Sequence, residues 1–214
     1  MTNEVILVDY GVGNLLSVAR ALEECDARVV VTDDAAKIKQ AERVVLPGVG
    51  AFGDCIAELR RRDLVEPILE FANTGRPMLG ICVGMQVLME MGEEFGEHEA
   101  FGLIPGRVQP IENTKADGTP HKIPHIGWTA LDLPEGRESW KGTILEGIEP
   151  GQTCYFVHSY TANPTNTENM LVVSDYNGRR IMAGVQASNV FGTQFHPEKS
   201  GKVGLKIVSR FLAM

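Results

Sequence analysis

The stretch Gly80-Ile81-Cys82-Val83-Gly84 sets one cysteine between two glycines, where an apolar run at 78–81 meets a helix-forming run. The analogous Gly-x-Ser-x-Gly arrangement forces a nucleophile onto a sharp strand-to-helix turn, where bulky side chains two residues away on either side would collide. Gly80 and Gly84 remove both collisions. Such a turn aims Cys82 at the start of a helix, whose unsatisfied N–H groups favour a thiolate and can hold an oxyanion. The plainer alternative is a small buried hydrophobe, as many free cysteines are.

The balance is tipped by Phe195-His196-Pro197-Glu198-Lys199-Ser200. On an extended segment, residues two apart share a face, so the Glu198 carboxylate can stand beside the His196 imidazole. Pro197 supports that geometry by steering the preceding residue away from the helical region. A cysteine, a histidine and a carboxylate are the nucleophile, base and orienting group of covalent acyl transfer.

These groups need a scaffold. Residues 5–8, 29–31, 44–46 and 78–81 read as short buried strands, and helical spacing occupies 15–22, 52–61, 64–71 and 84–91. Continuous apolar strands alternating with helices predict an α/β fold: an open, mostly parallel sheet with helices on both faces. Beyond Gly92 the runs 106–111, 153–158, 171–175 and 180–186 read as added antiparallel strands, 111–124 as an exposed polar loop, and 203–212 as a closing amphipathic helix. With 214 residues and 43% hydrophobic content the chain can build one core, so 1–214 is read as a single domain.

A formal charge of −8 argues against nucleic acid or an anionic membrane as partner. Arg60-Arg61-Arg62 reads as the solvated end of a helix. Four scattered cysteines without a C-x-x-C pair suggest neither zinc nor a dithiol couple, and no cofactor or metal is expected. With no signal core and no apolar run of about 20 residues, the expectation is a reduced, cytoplasmic protein.

Gly11-Val12-Gly13-Asn14 follows the first strand, but Leu16 occupies the third glycine position of a dinucleotide fingerprint, so a tight turn with Asn14 at its tip is the better reading. Pro47-Gly48-Val49-Gly50 follows the third strand. An N–H from this loop, that of Val49, is expected to join that of Val83 in an oxyanion hole; alone, the segment would read as a plain glycine-rich turn. His158 lacks a nearby carboxylate and ranks below His196 as base. His98, His121 and His125 read as surface or packing residues, and His125-Ile126-Gly127-Trp128 as a partner-facing turn.

Together, the cysteine elbow, Pro47-Gly48-Val49-Gly50 and His196-Pro197-Glu198 resemble the triad-type (class I) glutamine amidotransferases over nearly the whole chain. Asp9-Tyr10-Gly11-Val12-Gly13-Asn14, Pro124-His125-Ile126-Gly127-Trp128 and Tyr155-Phe156-Val157-His158-Ser159-Tyr160 look like the glutaminase subunits of imidazole glycerol phosphate synthases. The resemblance implies that Cys82 attacks the side-chain amide of L-glutamine, with His196 moving the proton and Glu198 orienting it. Water then releases glutamate from a thioester, and ammonia passes to a (β/α)8-barrel cyclase subunit in a heterodimer. It further implies that Gln86, Glu94, Ser159 and Tyr160 hold the substrate's α-amino and α-carboxylate groups. Gly48 and Gly50 would flank the oxyanion loop, and Asn14, Tyr155 and Lys199 would face the synthase. Thr129 stands where relatives often carry asparagine, and 112–121 is a long segment. The alternatives are a paralogous glutaminase feeding another synthase, such as a sugar-amidating one, a non-catalytic scaffold, or a cysteine peptidase.

Overall fold

A computed structural model describes residues 3–214. In chain order its elements are β1 (Glu4–Val8), α1 (Leu15–Glu24), β2 (Arg28–Thr32), α2 (Ala35–Gln40), β3 (Val44–Leu46), α3 (Phe52–Arg61), α4 (Val65–Ala72), β4 (Met78–Ile81) and α5 (Val83–Gln86). There follow β5 (Met89–Gly92), β6 (His98–Glu99), β7 (Ile104–Pro110), β8 (His125–Asp132), β9 (Thr153–His158), β10 (Tyr160–Pro164), β11 (Met170–Tyr176), β12 (Arg179–Ala187), β13 (Val190–Thr193) and α6 (Gly201–Leu212).

The main sheet has the order β2-β1-β3-β4-β13-β12-β11-β8-β9. From β2 to β13 neighbouring strands run parallel, and beyond β13 every pairing is antiparallel. The parallel part carries the buried strands expected of a sheet covered on both sides: β3, β4 and β13 have no exposed residue. Helix starts follow local chemistry. Asn14 accepts from the Ser17 N–H to cap α1, and Asp34 accepts from the Ala36 and Lys37 N–H groups to cap α2. The core includes Leu7, Leu46, Phe52, Leu59, Phe71, Phe156, Phe195 and Phe211, all fully buried.

Two expectations are corrected. The helix read over 84–91 stops at Gln86, because Met89–Gly92 pairs as a parallel strand with β7 and so builds a second, four-stranded sheet of order β10-β7-β5-β6. The turn expected at 125–128 is the start of strand β8, pairing residue for residue with β9 from His125↔His158 to Ala130↔Thr153.

Candidate active site

The loop 47–51, Cys82 and His196 all emerge at the C-terminal ends of three neighbouring parallel strands, β3, β4 and β13. Leu46 pairs with Gly80, and Thr193 with Ile81. The Cys82 N–H donates to the Thr193 carbonyl at 2.7 Å, tying the nucleophile's backbone to the strand that leads to the base. Ligands of open α/β sheets bind outside such strand ends.

Cys82 adopts φ 56° and ψ −113°, a conformation that costs a non-glycine residue about 1–3 kcal/mol. The glycines beside it allow the backbones to approach. A Cβ on Gly84 would lie 2.0 Å from the Leu46 carbonyl oxygen, and one on Gly80 would lie 2.5 Å from that of Gly84. Any side chain at either position would push the elbow off the sheet.

His196 Nδ1 lies 2.8 Å from Glu198 Oε1, and both side chains are buried. The Pro197–Lys199 segment forms a 3-10 turn rather than the extended stretch expected from spacing, and this turn makes the contact. The backbone is fixed as well: the His196 N–H donates to the Tyr155 carbonyl, and the Ser200 hydroxyl donates to that of His196. Burial alone would depress the imidazole, but the nearby Cys82 thiol and the Glu198 carboxylate outweigh it and raise the His196 pKa to about 9. Its Nε2 has no hydrogen-bond partner of good geometry among the described residues.

Gln194 is a contributor that the sequence reading missed. It is fully buried, and its Nε2 donates to the Cys82 sulfur at 3.7 Å. A glutamine has no reactivity of its own, so nothing in the sequence singled it out. Gln86 steadies it, donating from Nε2 to Gln194 Oε1 at 2.9 Å.

Cys82 and His196 open into a cleft of about 300 Å³, also lined by Val49, Gly50, Val83, Gln86, Glu94, Ser159, Tyr160 and Lys199. Gly48 lies beneath it, packed against Gly84 and Tyr10. Glu94 Oε2 accepts from the Phe52 N–H at 2.7 Å, placing a carboxylate at the N-terminus of α3. The two amides expected to form an oxyanion hole are not both open, since the Val83 N–H donates to the Gly48 carbonyl at 3.3 Å.

His158 lines the same cleft but is engaged elsewhere: its Nε2 lies 3.0 Å from His125 Nδ1 and its Nδ1 2.8 Å from the Tyr160 carbonyl. Thr129 Oγ1 lies 2.7 Å from His125 Nε2 and completes the chain. Asn14 is half-buried at its cap rather than projecting from the turn tip. Tyr155 is half-buried, its ring 6.1 Å from that of Trp128 and 6.0 Å from Lys199 Nζ. Trp128 and Ile126 are each more than half exposed on the same face of β8. A larger, more open concavity of about 950 Å³ lies around Gln109, Asn163 and Arg179, but its arginines are engaged, Arg179 with Glu112 and Arg180 with Asp132. It contains none of the reactive groups. Among the described residues no cluster of side chains could hold a metal ion, and no helix is long and apolar enough to cross a membrane.

The family profile described as glutamine amidotransferase class-I matches residues 6–214. The chain is 48% identical over 210 residues to the imidazole glycerol phosphate synthase subunit HisH 1 of Legionella pneumophila (strain Lens), covering 98% of this chain and 99% of that one. It is 43% identical to the HisH subunit of Syntrophotalea carbinolica, covering 97% and 98% respectively. Among solved structures it is similar to PurLQS from Thermotoga maritima, with a TM-score of 0.72 at 24% identity, covering 100% of this chain and 99% of that one, a likeness of fold.

Proposed function

The chain belongs to the class-I glutamine amidotransferases, and on that premise we propose that it is the glutaminase subunit of an imidazole glycerol phosphate synthase, supplying ammonia for histidine biosynthesis. The observation that carries this reading is the convergence of Cys82, Gln194, His196 and Glu198 at the ends of two adjacent strands, β4 and β13, with Cys82 and His196 opening into one cleft.

In this reading the Cys82 sulfur, its proton already held on His196 Nε2, bonds to the side-chain amide carbon of glutamine as the C=O π pair moves to the oxygen. Glu198, bonded at Nδ1, fixes the tautomer and stabilises the imidazolium. Collapse of the tetrahedral species breaks the C–N bond, and His196 returns its proton to the departing nitrogen. Water, deprotonated by His196, then cleaves the γ-glutamyl thioester to glutamate and regenerates the thiol. The Gln194 amide, donating to the sulfur, helps hold it in place for attack. Glu94 suits the α-ammonium of the substrate, and Gln86, Ser159 and Tyr160 complete the pocket for its α-amino and α-carboxylate groups.

The developing oxyanion needs two donors. Rotating the Gly48–Val49 peptide withdraws the Gly48 carbonyl, frees the Val83 N–H and turns the Val49 N–H inward. Loss of a single such donor costs an acyl-transfer enzyme about 10²–10³ in kcat, so the present orientation describes a resting state. This makes ammonia release conditional on a partner. A (β/α)8-barrel cyclase subunit is the proposed activator, docked on the face carrying Trp128, Tyr155 and Lys199, with Asn14 at its margin. The backbone bond from the His196 N–H to the Tyr155 carbonyl joins that face to the base.

The continuous hydrophobic core supports one domain spanning 1–214. A reducing, cytoplasmic location suits a free catalytic thiol and its biosynthetic role. The test is a glutaminase assay of the isolated chain with and without the synthase subunit and its nucleotide ligand. Slow hydrolysis that accelerates sharply on their addition is expected, and equal rates would refute the coupling.

A further inference from the structure

Three consecutive carbonyls run through the loop after β3, and each is held by a different group. The Tyr10 hydroxyl donates to the Pro47 carbonyl at 2.7 Å. The Val83 N–H reaches the Gly48 carbonyl at 3.3 Å. The Cys55 thiol donates to the Val49 carbonyl at 3.4 Å. One residue past Ala51, the Phe52 N–H is taken by Glu94. The central bond lies beyond the usual 2.7–3.2 Å range for N–H···O, whereas the Tyr10 bond sits at the favoured distance for O–H···O.

Tyr10 and Cys55 are both fully buried, and neither takes part in the chemistry described above. They adjoin one another from different elements, Tyr10 following β1 and Cys55 projecting from α3. Burial raises both pKa values, that of Cys55 to about 11, so both groups keep their protons and remain donors. Gly48 fits the arrangement. A Cβ there would lie 2.5 Å from the Gly84 nitrogen and 2.9 Å from the Tyr10 hydroxyl oxygen, so the hydroxyl closes over the position where a side chain would stand.

We propose that Tyr10 and Cys55 form a clamp that pins the peptides on either side of Gly48–Val49, so that this single peptide alone rotates to build the oxyanion hole. This rests on the glutaminase reading. Both are positioning residues. They touch neither substrate nor the reacting atoms, and they set the line along which the Val49 N–H meets the oxyanion. Without the clamp the loop can still turn, but the donor is no longer held in one place when charge develops. Binding of ground-state glutamine, whose amide oxygen carries little charge, is unaffected.

The experiment compares Tyr10→Phe, Cys55→Ala and Cys55→Ser with wild type, each saturated with the synthase subunit and its ligand. Steady-state kinetics and the affinity for glutamate γ-semialdehyde are measured together. That aldehyde traps the geometry: the Cys82 sulfur, its proton held on His196 Nε2, bonds to the carbonyl carbon, the C=O π pair moves to oxygen, and the oxyanion donors hold the product. In Tyr10→Phe and Cys55→Ala, kcat is expected to fall about tenfold, a fraction of what loss of a whole oxyanion donor costs. KM for glutamine stays within about twofold, aldehyde affinity falls by the same factor as kcat, and glutamate affinity is unchanged. Cys55→Ser, whose hydroxyl also donates, restores both kcat and aldehyde binding. Unchanged kcat and aldehyde affinity in both deletions would overturn the clamp, as would a serine variant no better than alanine. If Tyr10→Phe fails to fold, the Cys55 pair carries the test by itself. A wild-type complex that neither hydrolyses glutamine nor binds the aldehyde overturns the parent reading, a result distinct from variants that match an active wild type.

Discussion

Acidification should destabilise this protein through two histidines that the chemistry does not use. His125 is 1% and His158 6% exposed, and they share a hydrogen bond, with Thr129 at one end and the Tyr160 carbonyl at the other. Burial holds His125 down to about 4, aided by repulsion from His121. Burial likewise holds His158 at about 3, with His125 and His196 adding to the effect and the Tyr160 carbonyl opposing it. The unfolded chain takes up these two protons near pH 6.5, while the folded chain refuses them until pH 4 or below. Stability therefore falls as pH drops below 6.5. Each such group costs up to about 1.4 kcal/mol per pH unit once the pH is well below 6.5, so the pair removes about 3 kcal/mol between pH 6.5 and pH 5. That is a large share of the ~5–15 kcal/mol that holds a typical domain together. His196 does not blur the window. Its raised pKa gives stability that is fully present below pH 6.5 and is lost only as pH climbs toward 9. The assay is urea unfolding of the isolated chain at pH 5.0, 5.75, 6.5 and 7.25, with a His125→Gln, His158→Gln double variant as control. Wild type should show the slope and the control should lose most of it. A wild-type stability flat across this range would refute the reasoning.

Three further outcomes are expected. Glu198→Gln keeps the side chain's size but removes the charge that orients His196, and should lower kcat by about a hundredfold or more with KM for glutamine little changed. Gly84→Ala drives a methyl to within 2.0 Å of the Leu46 carbonyl oxygen and should cost about 1–3 kcal/mol or more, seen as a lower thermal midpoint. Trp128→Ala should lower the thermal midpoint of the isolated chain only slightly and weaken synthase binding at least tenfold, measured by titration calorimetry, because the ring is more than half exposed and its one ring contact is the edge-on one with Tyr155.

The elbow was legible because two glycines around one cysteine have a single steric purpose, and the contacts at Gly80 and Gly84 bear that out. The parallel strands were legible for the same kind of reason, as short, wholly apolar runs between helices. The end of the helix after Cys82 was not. Leu88, Met89 and Met91 continue a helical spacing, but residues 89–92 are claimed by a distant partner, β7, and that pairing is invisible locally. A partner-facing turn was expected at 125–128, yet six consecutive pairs with β9 hold the segment extended. Val49 and Val83, expected to supply the oxyanion amides, both line the cleft, but the Val83 N–H is taken by the Gly48 carbonyl, an orientation of one peptide that composition does not encode. Gln194 escaped notice because a glutamine has no reactivity of its own to draw attention, and only its distance to the sulfur gives it a role.

The central claim is that Cys82 is the nucleophile, and the other thiols make it sharply testable. Burial pushes Cys55 up to about 11 and Cys154 up to about 12, and burial with the neighbouring Glu24 and Asp26 raises Cys25. All three should be inert at neutral pH. Mass spectrometry after treatment with 6-diazo-5-oxo-L-norleucine, a glutamine-shaped electrophile, should find one adduct, on Cys82, suppressed by excess glutamine and absent from Cys82→Ala. Modification at another residue, or glutamine hydrolysis persisting at the wild-type rate in Cys82→Ala, would contradict the account.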